Sequence, residues 1–147
     1  MKKGYTLIEL LAVLALLASI LTLVAINAFY FSDKRKNKDY ENIKALIIDN
    51  AKVLVNTDKK ISKTIDYNLQ SLQTNDEDEV SCIFSYDKLV DYDLMDEDTK
   101  NPVTNELLYK SNKWIKIDLK DLEYSYEYIE DLGEETYPDC LTPIPQE

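Results

Sequence analysis

The side chains that this sequence offers for chemistry are mostly carboxylates. Its 147 residues include 28 aspartates and glutamates but no histidine. Without histidine the usual Ser/His and Cys/His catalytic pairs cannot form, and the commonest zinc ligand is missing. No pair of carboxylates is marked by apolar surroundings that would raise a pKa for acid–base catalysis. The sequence therefore predicts neither an enzyme nor a cofactor.

One acidic run has the oxygen ligands that calcium prefers. It lacks the glycine-centred spacing of an EF-hand loop, and such runs are usually just solvated. The sequence therefore predicts no metal site, and it leaves a few weak calcium candidates in this run: Asp91, Asp93, Asp96 and Asp98, with Glu97 beside them.

The two cysteines, Cys82 and Cys140, have two interpretations. Outside the cell they could pair, whereas in the cytoplasm they would stay thiols. A bridge would help a small domain with a modest core, by about 4 kcal/mol on the chain-entropy model. The alternative is two unrelated buried thiols.

The segment from Tyr5 to Phe31 is apolar and contains no proline or glycine. A helix needs about 20 such residues to cross a bilayer. The apolar region of a signal peptide is shorter, about 7–15 residues, and ends at a small-residue cleavage site. We therefore expect a retained membrane-spanning helix.

Glu9 is the only formally charged residue in that segment. A carboxylate deep in hydrocarbon costs about 2.5–3.5 kcal/mol. Glu9 either snorkels to the interface beside the positive helix N-terminus, or it pairs with a cation from another chain. Cleavage after Gly4 would create such a cation, the α-amino group of Tyr5, close to Glu9 of an axially shifted neighbour.

The stretch KKGYTLIELLAVLALLASILTL resembles the N-terminus of the type IV pilin and type II secretion pseudopilin superfamily. The resemblance rests on a short basic leader, a glycine, an aromatic residue, Thr-Leu-Ile-Glu-Leu and an apolar helix. It implies cleavage between Gly4 and Tyr5 by a prepilin peptidase, N-methylation of Tyr5, and Glu9 as the assembly residue. It also implies a structural subunit that assembles with other pilin or pseudopilin subunits into a filament serving a pilus, type II-like secretion or competence.

The resemblance and the residue pattern together predict a pilin-like α+β fold. We expect a leader at 1–4, a membrane and assembly helix at 5–31, an exposed continuation of that helix at 32–58 and a head at 59–147. Many relatives have a proline near the position of Ile26, which this chain lacks. Major pilin, minor pilin and pseudopilin therefore all remain open.

Apolar periodicity supplies the elements of the head. A stripe at helical spacing predicts that the long helix packs on the head through Ile43, Ile47, Ala51 and Leu54. Strict alternation in WIKIDL and in LEYSYEYI, together with ELLY, predicts a three-stranded antiparallel meander. We expect Leu122, Tyr124, Tyr126 and Tyr128 to share one face, more as core than as a sugar-stacking surface.

The connecting segments are predicted from their polar and turn-forming residues. TNDEDEVS and DEDTKNPVTNE are expected to be loops, and a short helix is expected to open at Ser85 as its N-cap. The stretch YPDCLTPIPQE is expected to be extended and tied down by Cys140.

Charge bears on partners and orientation. The formal charge of −11 argues against direct nucleic-acid binding. Counting bases alone, a basic flank after the apolar run would place the head in the cytoplasm: Lys34, Arg35, Lys36 and Lys38. The resemblance implies the opposite, a single-pass protein of the cell membrane with an extracytoplasmic head, at the cell surface after assembly. The alternative function is a membrane-anchored extracellular binding or adhesion protein that does not polymerise.

The leader sequence yields the first testable prediction. In cells with the matching peptidase, mass spectrometry of the native protein should find an N-methylated N-terminus at Tyr5. A mature protein that still begins at Met1 would contradict the filament interpretation.

Overall fold

A computed structural model of the chain describes residues 6–73 and 79–142. The chain divides into two compact units, residues 1–39 and 40–147. The predicted α+β class is confirmed, with one long N-terminal helix and a small head that holds a three-stranded antiparallel sheet. The elements in chain order are α1 (Leu7–Thr57), α2 (Lys59–Leu72), β1 (Glu79–Ser85), α3 (Asp87–Asp91), β2 (Trp114–Lys120) and β3 (Glu123–Ile129).

In the first unit, α1 is an exposed apolar helix. Every described residue from 6 to 39 is exposed. Among the described residues, α1 is the one helix long and apolar enough to cross a membrane, with a mean hydropathy of 2.7. The hydroxyls of Ser19 and Thr22 donate to the carbonyls of Ala15 and Ala18 at 2.7 and 2.8 Å. These polar groups are therefore satisfied inside the helix.

In the second unit, the last turns of α1 carry the predicted stripe into the head core. Ile47 and Ala51 are fully buried and Leu54 nearly so, while Ile43 packs against them. Their spacing of three and four residues places them on one helix face. This part of the sequence prediction is confirmed.

The helix α2 was not among the predicted elements. Asp58 separates it from α1, because its backbone is extended (φ −91°, ψ 102°). The Asp58 carboxylate accepts hydrogen bonds from the backbone N–H groups of Lys60 (2.8 Å) and Ile61 (3.2 Å), as an N-cap does. One face of α2 then enters the core through Ile61, Ile65, Asn68 and Leu69.

The sheet has the order β1-β2-β3, and both strand pairs are antiparallel. The alternation predicted for β2 is confirmed, because its apolar members are buried: Ile115, Ile117 and Leu119. A two-residue turn, Asp121–Leu122, joins β2 to β3, and both residues have positive φ (49° and 65°). The expectation that Leu122 shares the strand face is wrong, because it lies in this turn and is 84% exposed.

The prediction of which segments form the three strands is also wrong. ELLY forms only an isolated bridge, between Lys100 and Leu107, and the third strand is β1. Asn101 explains the loop, since its side-chain oxygen accepts the N–H groups of Val103 (2.8 Å) and Thr104 (3.3 Å) and closes a turn. The predicted loop at 96–106 is therefore right, and Leu108 reaches the core from irregular backbone.

The segment expected to be an acidic loop at 74–81 instead ends in a strand, β1. Residues 74–78 lie outside the described residues. The short helix α3 begins at Asp87, and its N-cap position is Tyr86 rather than the predicted Ser85. Ser85 ends β1, and its hydroxyl accepts the N–H of Asp87 at 3.2 Å.

The packing of α1 on the head can be tested at two adjacent positions. Ile47→Ala opens a cavity in the core and should lower the free energy of unfolding of the head by about 2–5 kcal/mol. Leu46→Ala is the control, because Leu46 is 50% exposed and its truncation should change stability little. Thermal unfolding of the detergent-solubilised chain measures both. Equal losses in the two variants would show that the stripe is not core.

Candidate functional site

Glu9 forms a hydrogen-bonded cap with Thr6 at the start of α1. The backbone N–H of Thr6 donates to Glu9 Oε2 at 2.9 Å, and the Thr6 hydroxyl donates to the same oxygen at 3.1 Å. In return, the N–H of Glu9 donates to the Thr6 hydroxyl oxygen at 3.3 Å. This reciprocal arrangement is a capping box, and it satisfies donors that the helix start leaves unpaired. The sequence signal for it, Thr followed three residues later by Glu, was overlooked.

Only one carboxylate oxygen of Glu9 is used in this cap. From the described residues, Oε1 accepts no hydrogen bond, and the side chain is exposed. The predicted cleavage and methylation residues, Gly4 and Tyr5, lie outside the described residues, so processing stays a prediction. The geometry of Glu9 therefore combines a local role at its own helix N-terminus with a free oxygen that could accept a second donor.

The basic flank that follows the apolar run is exposed on α1. Its four members make no ion pair with any other residue in the described ranges: Lys34, Arg35, Lys36 and Lys38. Its charge is thus available to a partner outside the described residues.

Cys82 and Cys140 form a disulfide bond. The S–S distance is 2.06 Å, the Cα atoms are 5.0 Å apart, and both residues are fully buried. The bond joins the inner face of β1 to the segment that follows the sheet, which we call the post-sheet segment (residues 133–142). This segment contains no helix or regular strand, which agrees with the expectation for residues 137–142, and residues 143–147 of the predicted extended stretch lie outside the described residues.

The weak calcium candidates do not converge on a site. In the described ranges, no group of three or more acidic, histidine or cysteine side chains is placed to hold a metal ion. Asp91 instead forms an ion pair with Lys88 at 3.2 Å. The exposed positions of Asp93, Asp96 and Asp98 are those of a solvated acidic loop.

A groove of about 390 Å³ opens between the end of α1, the start of α2 and the residues after α3. Its lining is mostly apolar and includes Val53, Tyr92 and Leu94. Of its charged groups, Asp58 is already engaged in capping α2. Its other polar lining residues are Thr57 and Lys59, which are adjacent to Asp58 in the chain, and we assign the groove no ligand.

The tyrosines of β3 belong mainly to the core. Tyr126 and Tyr128 pack against it, whereas Tyr124 is 40% exposed and donates its hydroxyl hydrogen bond to Asp66 of α2. Burial raises the pKa of Tyr128 to about 12, with the charge of Glu130 adding to the shift. The expectation of a core stripe therefore holds for two of the three tyrosines.

The comparison with known protein families identifies the N-terminal segment. The family model for the prokaryotic N-terminal methylation motif matches residues 1–25. This region contains the leader, Glu9 and much of the apolar run. No curated protein and no solved structure matches the chain.

The buried tyrosines predict a pH dependence of head stability. The folded head holds the Tyr128 proton more tightly than the unfolded chain does, and this difference adds to the free energy of unfolding. The added stability is complete below the ordinary tyrosine pKa of about 10. It is lost as the pH rises towards about 12. The thermal midpoint should therefore fall above about pH 10. In Tyr128→Phe this fall should be shallower, whereas the change in thermal midpoint between pH 7 and 8 should match that of the wild type. An unchanged alkaline slope in Tyr128→Phe would contradict the assignment.

Proposed function

We propose that this chain, which carries the prepilin-type N-terminal motif of the type IV pilin-like superfamily, is a structural subunit of a type IV pilus or pseudopilus filament. The motif marks a family of structural subunits rather than enzymes. The observation that carries the proposal is the match at residues 1–25, which overlaps an exposed apolar helical segment, residues 7–31, whose single carboxylate is Glu9.

In the proposed pathway, the precursor first spans the membrane through the apolar part of α1. A prepilin peptidase then removes residues 1–4 and the new α-amino group of Tyr5 is methylated. The head lies outside the cytoplasm. The disulfide between Cys82 and Cys140 supports this orientation, because such bonds persist in oxidising compartments.

Assembly in this proposal uses the free oxygen of Glu9. One oxygen stays in the cap with Thr6, and Oε1 accepts a hydrogen bond from the methylated α-amino group of Tyr5 on an axially shifted neighbour. A charged pair in a low-dielectric bundle of helices is strongly favoured over either charge alone. The apolar side chains of the same helix then exchange lipid for neighbouring helices.

Substitution at Glu9 tests the assembly role. Glu9→Ala should insert into the membrane at least as well as the wild type, because it removes a charge that is costly in lipid. It should be nearly absent from filaments, since each added subunit would leave an amine without its partner, at about 3–5 kcal/mol. Fractionation of sheared filaments and membranes measures both properties.

Glu9→Gln separates the charge from the cap. Glutamine also completes a capping box, so this variant keeps the helix start but loses the negative charge. It should fail to assemble as Glu9→Ala does. Ser19→Ala is the control, since it removes a polar group from the same helix without touching the pair, and it should assemble normally.

Two results would change the proposal. If Glu9→Gln assembles normally while Glu9→Ala does not, the cap rather than the charge is what assembly requires. If both variants enter filaments fully, or if the wild type forms none, the membrane-anchored binding protein becomes the better interpretation.

A further inference from the structure

The disulfide cannot be formed by an exchange partner acting on the closed head. Both cysteines are fully buried, so no external thiol or disulfide reaches either sulfur. Thiol–disulfide exchange requires direct access of the attacking thiolate to a sulfur atom. The bond must therefore form while part of the head is open and one of the two cysteines is accessible to the partner.

The backbone segments that carry the two cysteines are held by different numbers of hydrogen bonds. Cys82 lies within β1, which pairs with β2 along its whole length from Glu79 to Ser85. Cys140 lies in the post-sheet segment, which bonds to β1 through two backbone hydrogen bonds in the described ranges. Ile83 N–H donates to the Pro138 carbonyl at 2.9 Å, and Cys140 N–H donates to the Ile83 carbonyl at 2.8 Å. Segments with few such bonds open locally at lower cost than paired strands.

One side chain from α2 holds the post-sheet segment around Cys140. Asn68 is fully buried, and its amide nitrogen lies within hydrogen-bond distance of three carbonyl oxygens of that segment. Its two N–H groups are shared among the carbonyls of Asp139 (3.2 Å), Cys140 (3.0 Å) and Thr142 (2.9 Å). These contacts are made to Cys140, which forms the disulfide with Cys82, and to residues beside it.

We infer that Cys140 is the residue that reacts first with an oxidising disulfide partner, and that Asn68 is the positioning residue that then brings it to Cys82. In the first step, the Cys140 thiolate attacks the partner's disulfide, forms a mixed disulfide and releases one partner thiolate. The post-sheet segment then docks on Asn68 and β1. In the second step, the Cys82 thiolate attacks the Cys140 sulfur and releases the second partner thiolate. The partner disulfide gains two electrons, and the two cysteine protons pass to solvent.

The first test uses the reduced full-length chain in detergent micelles with oxidised glutathione as the disulfide. Samples are quenched with acid and analysed by mass spectrometry. Cys82→Ser should trap glutathione on Cys140, whereas Cys140→Ser should acquire it on Cys82 at least about tenfold more slowly, because β1 opens less readily. Equal rates at the two cysteines, or faster reaction at Cys82, would overturn the order of reaction.

The second test separates positioning from general destabilisation. Asn68→Ala weakens docking, so Cys140 should be captured faster while the ring closure by Cys82 slows, each by about tenfold, with the mixed disulfide accumulating. Gln70→Ala, an exposed position on the same helix, should change neither step.

If Asn68→Ala does not fold, as judged by Trp114 fluorescence, Asn68→Asp keeps the size of the side chain and removes the donor. General unfolding would instead expose Cys82 as well, which Cys140→Ser combined with the Asn68 substitution would reveal as faster capture at Cys82. That result, or an unchanged rate of ring closure, would overturn the role of Asn68.

Discussion

The constraint on which this structure depends is that one unbroken helix has two different surroundings. The last turns of α1 bury Ile47 and Ala51 completely in the head core. The apolar side chains between 7 and 31 are exposed without exception. So large an apolar surface is not stable in water and marks contact with lipid or with other chains. The head can therefore fold as an ordinary α+β unit, but the first part of α1 requires a partner outside the chain.

The head meets a second constraint, the free edge of its sheet. The order β1-β2-β3 leaves β1 at one edge, and an unpaired edge invites pairing with other chains. The post-sheet segment covers part of that edge through the parallel bridge between Ile83 and Asp139. Asn68 and the disulfide fix the same segment from two directions. Closing this segment thus completes the core and protects the edge in one step.

Elements with simple periodicity could be predicted from the sequence, whereas those fixed by distant contacts could not. In β2 the apolar residues Ile115, Ile117 and Leu119 are separated by polar residues, so the sequence showed which face of the strand is buried. β1 alternates too, with Val80, Cys82 and Phe84 buried on one face, but it was missed because its first residues belong to the acidic stretch TNDEDEVS, which predicts a loop. Asn68 gave no signal, because its partners lie more than 70 residues further along the chain. The cap of Glu9 was different: both of its residues are local, and their spacing was sufficient to predict it.

The cap also reduces the cost of a carboxylate in an apolar helix. Burying a charge is costly unless the charge is both hydrogen-bonded and paired. Thr6 supplies two donors to Glu9 Oε2, so an unassembled subunit does not carry a bare carboxylate. In the filament that we propose, Oε1 can gain a cationic partner without breaking this cap. The same residue is then tolerable before assembly and specific during assembly, because the second interaction adds to the first instead of replacing it.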